Sequence, residues 1–254
     1  MYEYQGLQDV VFIMLYGGVT FFALLACLYL LFRRGNAFVG EERPAGEEQP
    51  MRLGLEVRAS RRLRRWTAAL MAAMAASHVW WYAIGIYWLA DDRLVRNITA
   101  IMLDHATLVP LAMGVLLVLL QDRRRPLWPW LVAQLPVVVA AVVGIAQRSM
   151  FWGYEVAYYW QLAVVVVFVV YYIFALRRYG RWLLDNYADL ERKEVWQSLV
   201  FAMVLFVVYA VYTSNMGEMA REYLSQVISI VIIAFLVWRV ETLQELPSEE
   251  DMDN

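Results

Sequence analysis

Seven stretches of this chain are each apolar for long enough to cross the ~30 Å hydrocarbon core of a bilayer at 1.5 Å per helical residue. That constrains the fold more than any other feature. Inside lipid each backbone N–H and C=O must find its partner within the spanning segment, so the segments are helices. The runs fall at residues 10–32, 66–90, 98–120, 127–146, 156–176, 196–212 and 223–240. With 62% of residues hydrophobic and 18% charged, an ordinary soluble domain is excluded. The expected fold is all-α: a polytopic membrane protein whose seven-transmembrane helix bundle occupies residues 1–246, with a cytoplasmic interfacial helix. Residues 247–254 (PSEEDMDN) form an acidic tail expected to be disordered. The first run is too long for a signal peptide and lacks a small-residue cleavage site, so it is expected to be retained.

Charge gives the orientation. Of the 22 Lys and Arg residues, 18 fall on one side of the seven spans and 4 (Arg93, Arg96, Arg148 and Arg221) on the other. The positive-inside rule then places the N-terminus outside and the C-terminus in the cytoplasm of a cell's inner membrane. Seven spans, an odd number, agree with termini on opposite sides.

Two cytoplasmic segments stand out. Residues 33–65 begin as a Gly-, Pro- and Glu-rich linker and end in the basic run Arg58, Arg61, Arg62, Arg64 and Arg65. That run reads as a topology anchor or as a surface for anionic lipid or a partner. Residues 177–195 are amphipathic: Tyr179, Trp182, Leu183, Tyr187 and Leu190 share one helical face, and charges fill the rest. Tyr179, Trp182, Tyr187 and Leu190 are the candidate partner-binding residues, because such a stripe exposes apolar area unless laid on lipid or protein.

Polar groups within the spans are costly and cluster by depth. His78, Trp81 and Tyr82 share a face of the second span, and the third contributes Asp104 and His105. Glu155, Tyr158 and Gln161 come from the fifth span, Tyr212 from the sixth and Gln226 from the seventh. Under the topology above they occupy the outer halves of their helices, while 164–170 and 228–236 are almost wholly aliphatic. Together these ten are the candidate ligand-binding residues of an outward-facing pocket. Two other readings stay open: the Trp and Tyr form an interfacial belt, and the His and Gln side chains bond neighbouring helices. A carboxylate two turns deep, such as Asp104, must be protonated or paired, with His78, His105 or Arg148 the expected partner.

Other chemistry finds little footing. Cys27 is the single cysteine, which rules out an intramolecular disulfide and a cysteine-built metal site. His78 and His105 lie about 18 Å and about 12 Å deep by helical rise, a poor match for a shared haem or metal. Lys193, the only lysine, lies outside the spans, which excludes a retinal Schiff base in the last one. No hydrolase, nucleotide or metalloprotease motif is present, so no enzyme, cofactor, metal or nucleic-acid role is expected.

The strings Asn186-Tyr187-Ala188-Asp189-Leu190-Glu191 and Trp238-Arg239-Val240-Glu241-Thr242-Leu243 resemble the seven-helix membrane input module of Bacteroidota sensor proteins. The resemblance covers less than a fifth of the chain. It implies a receptor-like module of bacterial signal transduction that binds a small ligand outside and addresses a histidine-kinase or helix-turn-helix output, here as a separate cytoplasmic partner. Homodimerisation is compatible with it. A small-solute transporter is the first alternative, from a weak three-one-three layout of spans; a non-catalytic membrane scaffold is the second.

Overall fold

The computed structural model describes residues 7–33, 58–83, 93–147, 149, 151–186, 196, 198–205, 207 and 218–245. These are helical apart from short turns and one two-residue strand pair. The helices are α1 (Leu7–Phe32), α2 (Arg61–Ala83), α3 (Arg93–Leu119), α4 (Trp128–Val132), α5 (Leu135–Gln147), α6 (Gly153–Asn186), α7 (198–205) and α8 (Glu218–Thr242). Among the described residues five helical stretches are long and apolar enough to cross a membrane: Val10–Phe32, Ile98–Leu119, Trp128–Gln147, Gly153–Asn186 and Tyr223–Thr242. Their outward faces carry Phe21, Phe22, Leu25, Val139, Val142, Val167, Phe174 and Val231, all exposed. An apolar surface this continuous belongs in lipid, and the chain is a multi-pass membrane protein.

α2 is not among the five. Its first turn, Arg61–Arg65, and its polar aromatic end lower its mean hydropathy, although its 23 residues match the others in length. Residues 84–90, 187–195 and 208–217 lie outside the described residues. So therefore do the end of the second expected span, the end of the sixth with Tyr212, and both Tyr187 and Leu190; the same holds for 34–57 of the expected linker and for the tail 247–254.

The described residues form two compact units. One comprises those within Met1–Ala75 and Ala202–Leu246; the other comprises those within Ala76–Phe201.

In the first unit α1 and α8 pack side by side and parallel. Phe12 meets Tyr223 near their starts, ring edge to face at 5.5 Å, and at their ends Arg33 lies 3.6 Å from Glu241. The basic first turn of α2 joins them. Ser60 begins this helix, its hydroxyl accepting the N–H of Leu63 at 3.3 Å. Four arginines beside a helix N-terminus oppose its dipole, and Arg64 is drawn elsewhere. Its guanidinium donates to Glu241 at 3.2 Å and to the Arg33 carbonyl at 2.5 Å. Arg64 and Glu241 are both buried, as is Arg239. Just beyond, β1 (Arg58–Ala59) pairs antiparallel with β2 (Gln244–Glu245), Arg58 opposite Glu245 in register.

In the second unit α3 is the central helix: 56% of its apolar window is buried, against 28% for α4–α5 and 39% for α6. Its end is fixed by Arg125, which donates to Asp122 Oδ2 at 2.8 Å and to the Leu120 carbonyl at 3.2 Å, with its charge 2.7 Å from Asp122 Oδ1. Both residues are buried, so each charge is matched by the other.

The fourth span, expected to bend at Pro136, is interrupted there. α4 stops at Val132, Ala133 and Gln134 form a turn, and α5 resumes at Leu135. Proline has no N–H to return to Val132; the Gln134 carbonyl instead takes the N–H groups of Val137 and Val138, each at 3.0 Å. The fifth span runs on through Arg177 without a break to Asn186, so the basic pair Arg177-Arg178 sits within one 34-residue helix.

α5 and α6 are antiparallel and close. Gly144 is the reason they can be: a Cβ built there would stand 1.8 Å from the Tyr154 hydroxyl. Gly144→Ala should therefore lower stability by about 1–3 kcal/mol, as overpacking does, read as the midpoint of thermal unfolding in micelles. Gly18→Ala on α1, where a Cβ meets nothing within 4 Å, should leave the midpoint unchanged or raise it slightly.

Candidate functional site

An aspartate on a buried helix face must be met by hydrogen-bond donors or stay neutral. Asp104 sits about three turns into α3, buried, and three side chains of α2 meet it. Ser77 Oγ donates to Oδ1 at 2.6 Å, Trp80 Nε1 to the same oxygen at 3.0 Å, and Trp81 Nε1 to Oδ2 at 2.8 Å. An indole N–H can only donate, so both carboxylate oxygens act as acceptors. The spacing follows from the helix: positions 77, 80 and 81 are i, i+3 and i+4, which stand on one face. The indole bodies pack on Ala100, one turn earlier on α3, as does Leu103. A small residue at 100 lets the two rings approach.

His78 follows Ser77 and is buried; His105 follows Asp104 and is buried more deeply. Below this centre a compact apolar cluster joins α3, α5 and α6 through Met102, Val137, Ala140, Ala141, Tyr154 and Ala157. Within it the Thr99 and Tyr154 hydroxyls share a hydrogen bond of 3.0 Å. Tyr158 lies half-buried against the same cluster.

The ten candidate ligand residues thus fall into distinct places. Trp81 and Asp104 bond directly, with His78 and His105 as chain neighbours of the bonded groups. Tyr82 belongs to α2, and Tyr158 and Gln161 to the inner side of α6, where Gln161 is fully buried. Glu155, on the first turn of α6, is exposed. Gln226 is buried on α8, in the first unit. Tyr212 and Arg148 lie outside the described residues. Of the partner candidates, Tyr179 and Trp182 are buried within the folded chain, their rings stacked at 6.0 Å. The aromatic stripe, expected against lipid or a separate protein, is covered there by the chain's own residues.

Several groups in these centres escaped the sequence reading. Ser77 passes for an ordinary small residue of a membrane helix, and Trp80 for a member of the interfacial belt. The signal that could have found both is their i, i+3, i+4 spacing with Trp81, opposite a lone carboxylate. Gln134 carried no signal beyond its place next to a proline. Among the described residues no three His, Cys, Asp or Glu side chains converge as a metal site would require.

The arrangement makes a graded stability prediction. Asp104→Leu removes the acceptor and strands three donors, and should cost about 3–5 kcal/mol, since each buried donor left unmet costs about 1–3 kcal/mol. Ser77→Ala removes one donor and should cost about 1 kcal/mol. Asp104→Asn, which turns one oxygen into a donor facing an indole N–H, should fall between. Thermal unfolding in micelles reads the order; an Asp104→Leu midpoint at or above wild type contradicts the account.

No protein-family model, no curated protein and no solved structure matches this chain.

Proposed function

We propose that the chain is a receptor-like membrane sensor with seven spans, its N-terminus outside and its C-terminus in the cytoplasm of the inner membrane. A small ligand enters from outside at the centre around Asp104, and a cytoplasmic partner reads the end of α8. The parallel packing of α1 and α8 supports the topology. A first and a last span that point the same way require an odd number of crossings and leave the termini on opposite sides. α2, at 23 residues or about 35 Å of rise, and the segment beginning at α7 supply the two crossings beyond the five apolar ones.

The observation that carries the signalling reading is the buried ion cluster at the exit of α8. Glu241 belongs to the string Trp238–Leu243 that resembles the exit of sensor input modules, and it stands between Arg64 at 3.2 Å and Arg33 at 3.6 Å. One carboxylate thereby ties the end of the last helix to the end of the first and the start of the second. Such a clasp transmits well, because losing one arginine leaves a buried charge unpaired and so favours a different arrangement of the helix end.

A second reading, a small-solute transporter, is favoured by the interrupted fourth span. Broken helices at membrane depth are tolerated where they line a polar path.

The two are separated by the transcriptome and solute content of cells carrying Glu241→Gln or Asp104→Asn at wild-type abundance in the membrane. A sensor predicts that both variants change the same restricted set of genes, on the order of tenfold. A transporter predicts altered accumulation of a solute class and no such shared set. If both variants leave gene expression unchanged, the sensor reading fails.

A further inference from the structure

The turn between α4 and α5 holds a group that neither the Asp104 centre nor the α8 exit uses. Gln134 in that turn is 2% exposed and Gln161 on α6 is 0% exposed. Among the described residues neither side-chain amide has a hydrogen-bond partner on its oxygen or its nitrogen. The two lie at one level. α6 runs antiparallel to α4–α5, with Gly144 against Tyr154, Ala133 bonded by Trp160 at 2.7 Å and Trp130 against Phe168 at 4.9 Å. That register places Gln134 and Gln161 within about one helical turn of each other in depth, near the middle of the fourth span.

A buried amide with neither donor nor acceptor satisfied costs about 1–3 kcal/mol, and an apolar residue of the same shape would avoid that cost. Two such amides at one level, beside a backbone interruption, each call for a partner. The interruption adds an acceptor of its own: Pro136 has no N–H to give the Val132 carbonyl. Trp160 holds the turn open through its bond to the Ala133 carbonyl, so the break is fixed by the neighbouring helix. The groups offered are amide N–H donors and carbonyl acceptors. No Asp, Glu, Lys or Arg occurs within one turn of either residue in the sequence, and Asp104 is directed to α2 by Ser77, Trp80 and Trp81. A charged ligand would therefore meet no counter-charge from α4, α5 or α6.

We propose that the α4–α5 break, with Gln134 and Gln161, is a binding site for a small neutral molecule that both donates and accepts hydrogen bonds, bearing a hydroxyl or carboxamide group. The site stands whether the protein signals or transports.

Full-length protein labelled with 15N in glutamine side chains and held in lipid nanodiscs tests this, with glycerol and acetamide as the probes. Gln134→Met and Gln161→Met, close in shape to the native residue, assign the two amide signals and serve as the binding variants. The expected result is a saturable shift of both signals, and only those two, with at least one probe. Either substitution should weaken it at least tenfold, and the shift should persist for the remaining amide at higher probe concentration. If neither probe moves the signals and both show only long-lived water contacts, the site holds structural water and the proposal is overturned. If the double Met variant unfolds at a higher temperature than wild type and no probe shifts either amide of the wild-type protein, the glutamines are packing groups and the proposal is likewise overturned.

Discussion

A carboxylate within a membrane helix has to be answered by donors, and the answer given to Asp104 organises the unit around it. Ser77, Trp80 and Trp81 approach from one face of α2 and occupy both oxygens. Because those three positions repeat with the helix, the bonds fix the rotation of α2 about its axis as well as its contact with α3. The rings then rest on Ala100, and α3, held on that side, presents Thr99 and Met102 to α5 and α6. A single acidic residue thus accounts for the aromatic end of α2, for a small residue at 100 and for the burial of α3 above that of the helices around it.

The limits of the sequence can be traced residue by residue. Apolar length located the helices well, because lipid leaves the backbone no other way to satisfy itself; 10–32 and 223–240 nearly coincide with α1 and α8. Asp104 stood out because its cost is a property of one residue. Its partners did not, since the expectation was a cation or a histidine, while the groups present are a hydroxyl and two indoles whose aromatic bodies also suit an interface. Pro136 signalled a disturbance in the fourth span but not its form, which depends on Trp160 reaching Ala133 from another helix. The Glu241 cluster was illegible for a similar reason. Arg64 and Glu241 are 177 residues apart in the chain, and each alone looks like a residue that marks a helix end. Tyr179 and Trp182 showed the need for cover, which a periodic pattern reveals, but not what supplies it.

Three polar places among the described residues are each answered differently. At Asp104 three neutral donors meet a carboxyl group; at Glu241 opposite charges meet at a buried helix end; Gln134 at the helix break and Gln161 on α6 are buried amides at a similar depth. Aliphatic stretches such as Val164 to Val170 and Ile228 to Leu236 fill the helices between. A sensor needs a place where a ligand changes the balance of contacts and a place where that change is read. The Asp104 centre and the α8 exit are arrangements that join different helices through one carboxylate each, which is why the functional reading turns on them.

The central claim is that the Trp80 and Trp81 indoles are committed to Asp104, and exchange of indole N–H protons measures it most directly. With 15N-tryptophan incorporated and the protein in lipid nanodiscs, the Trp80 and Trp81 signals, assigned by Trp→Phe variants, should exchange with deuterium at least a hundredfold more slowly than that of the exposed Trp152. Both should accelerate in Asp104→Leu while the signal of Trp160, bonded to a backbone carbonyl, stays as it was. Exchange of Trp80 and Trp81 as fast as Trp152 in the wild type, or unaltered by the loss of Asp104, would contradict the account.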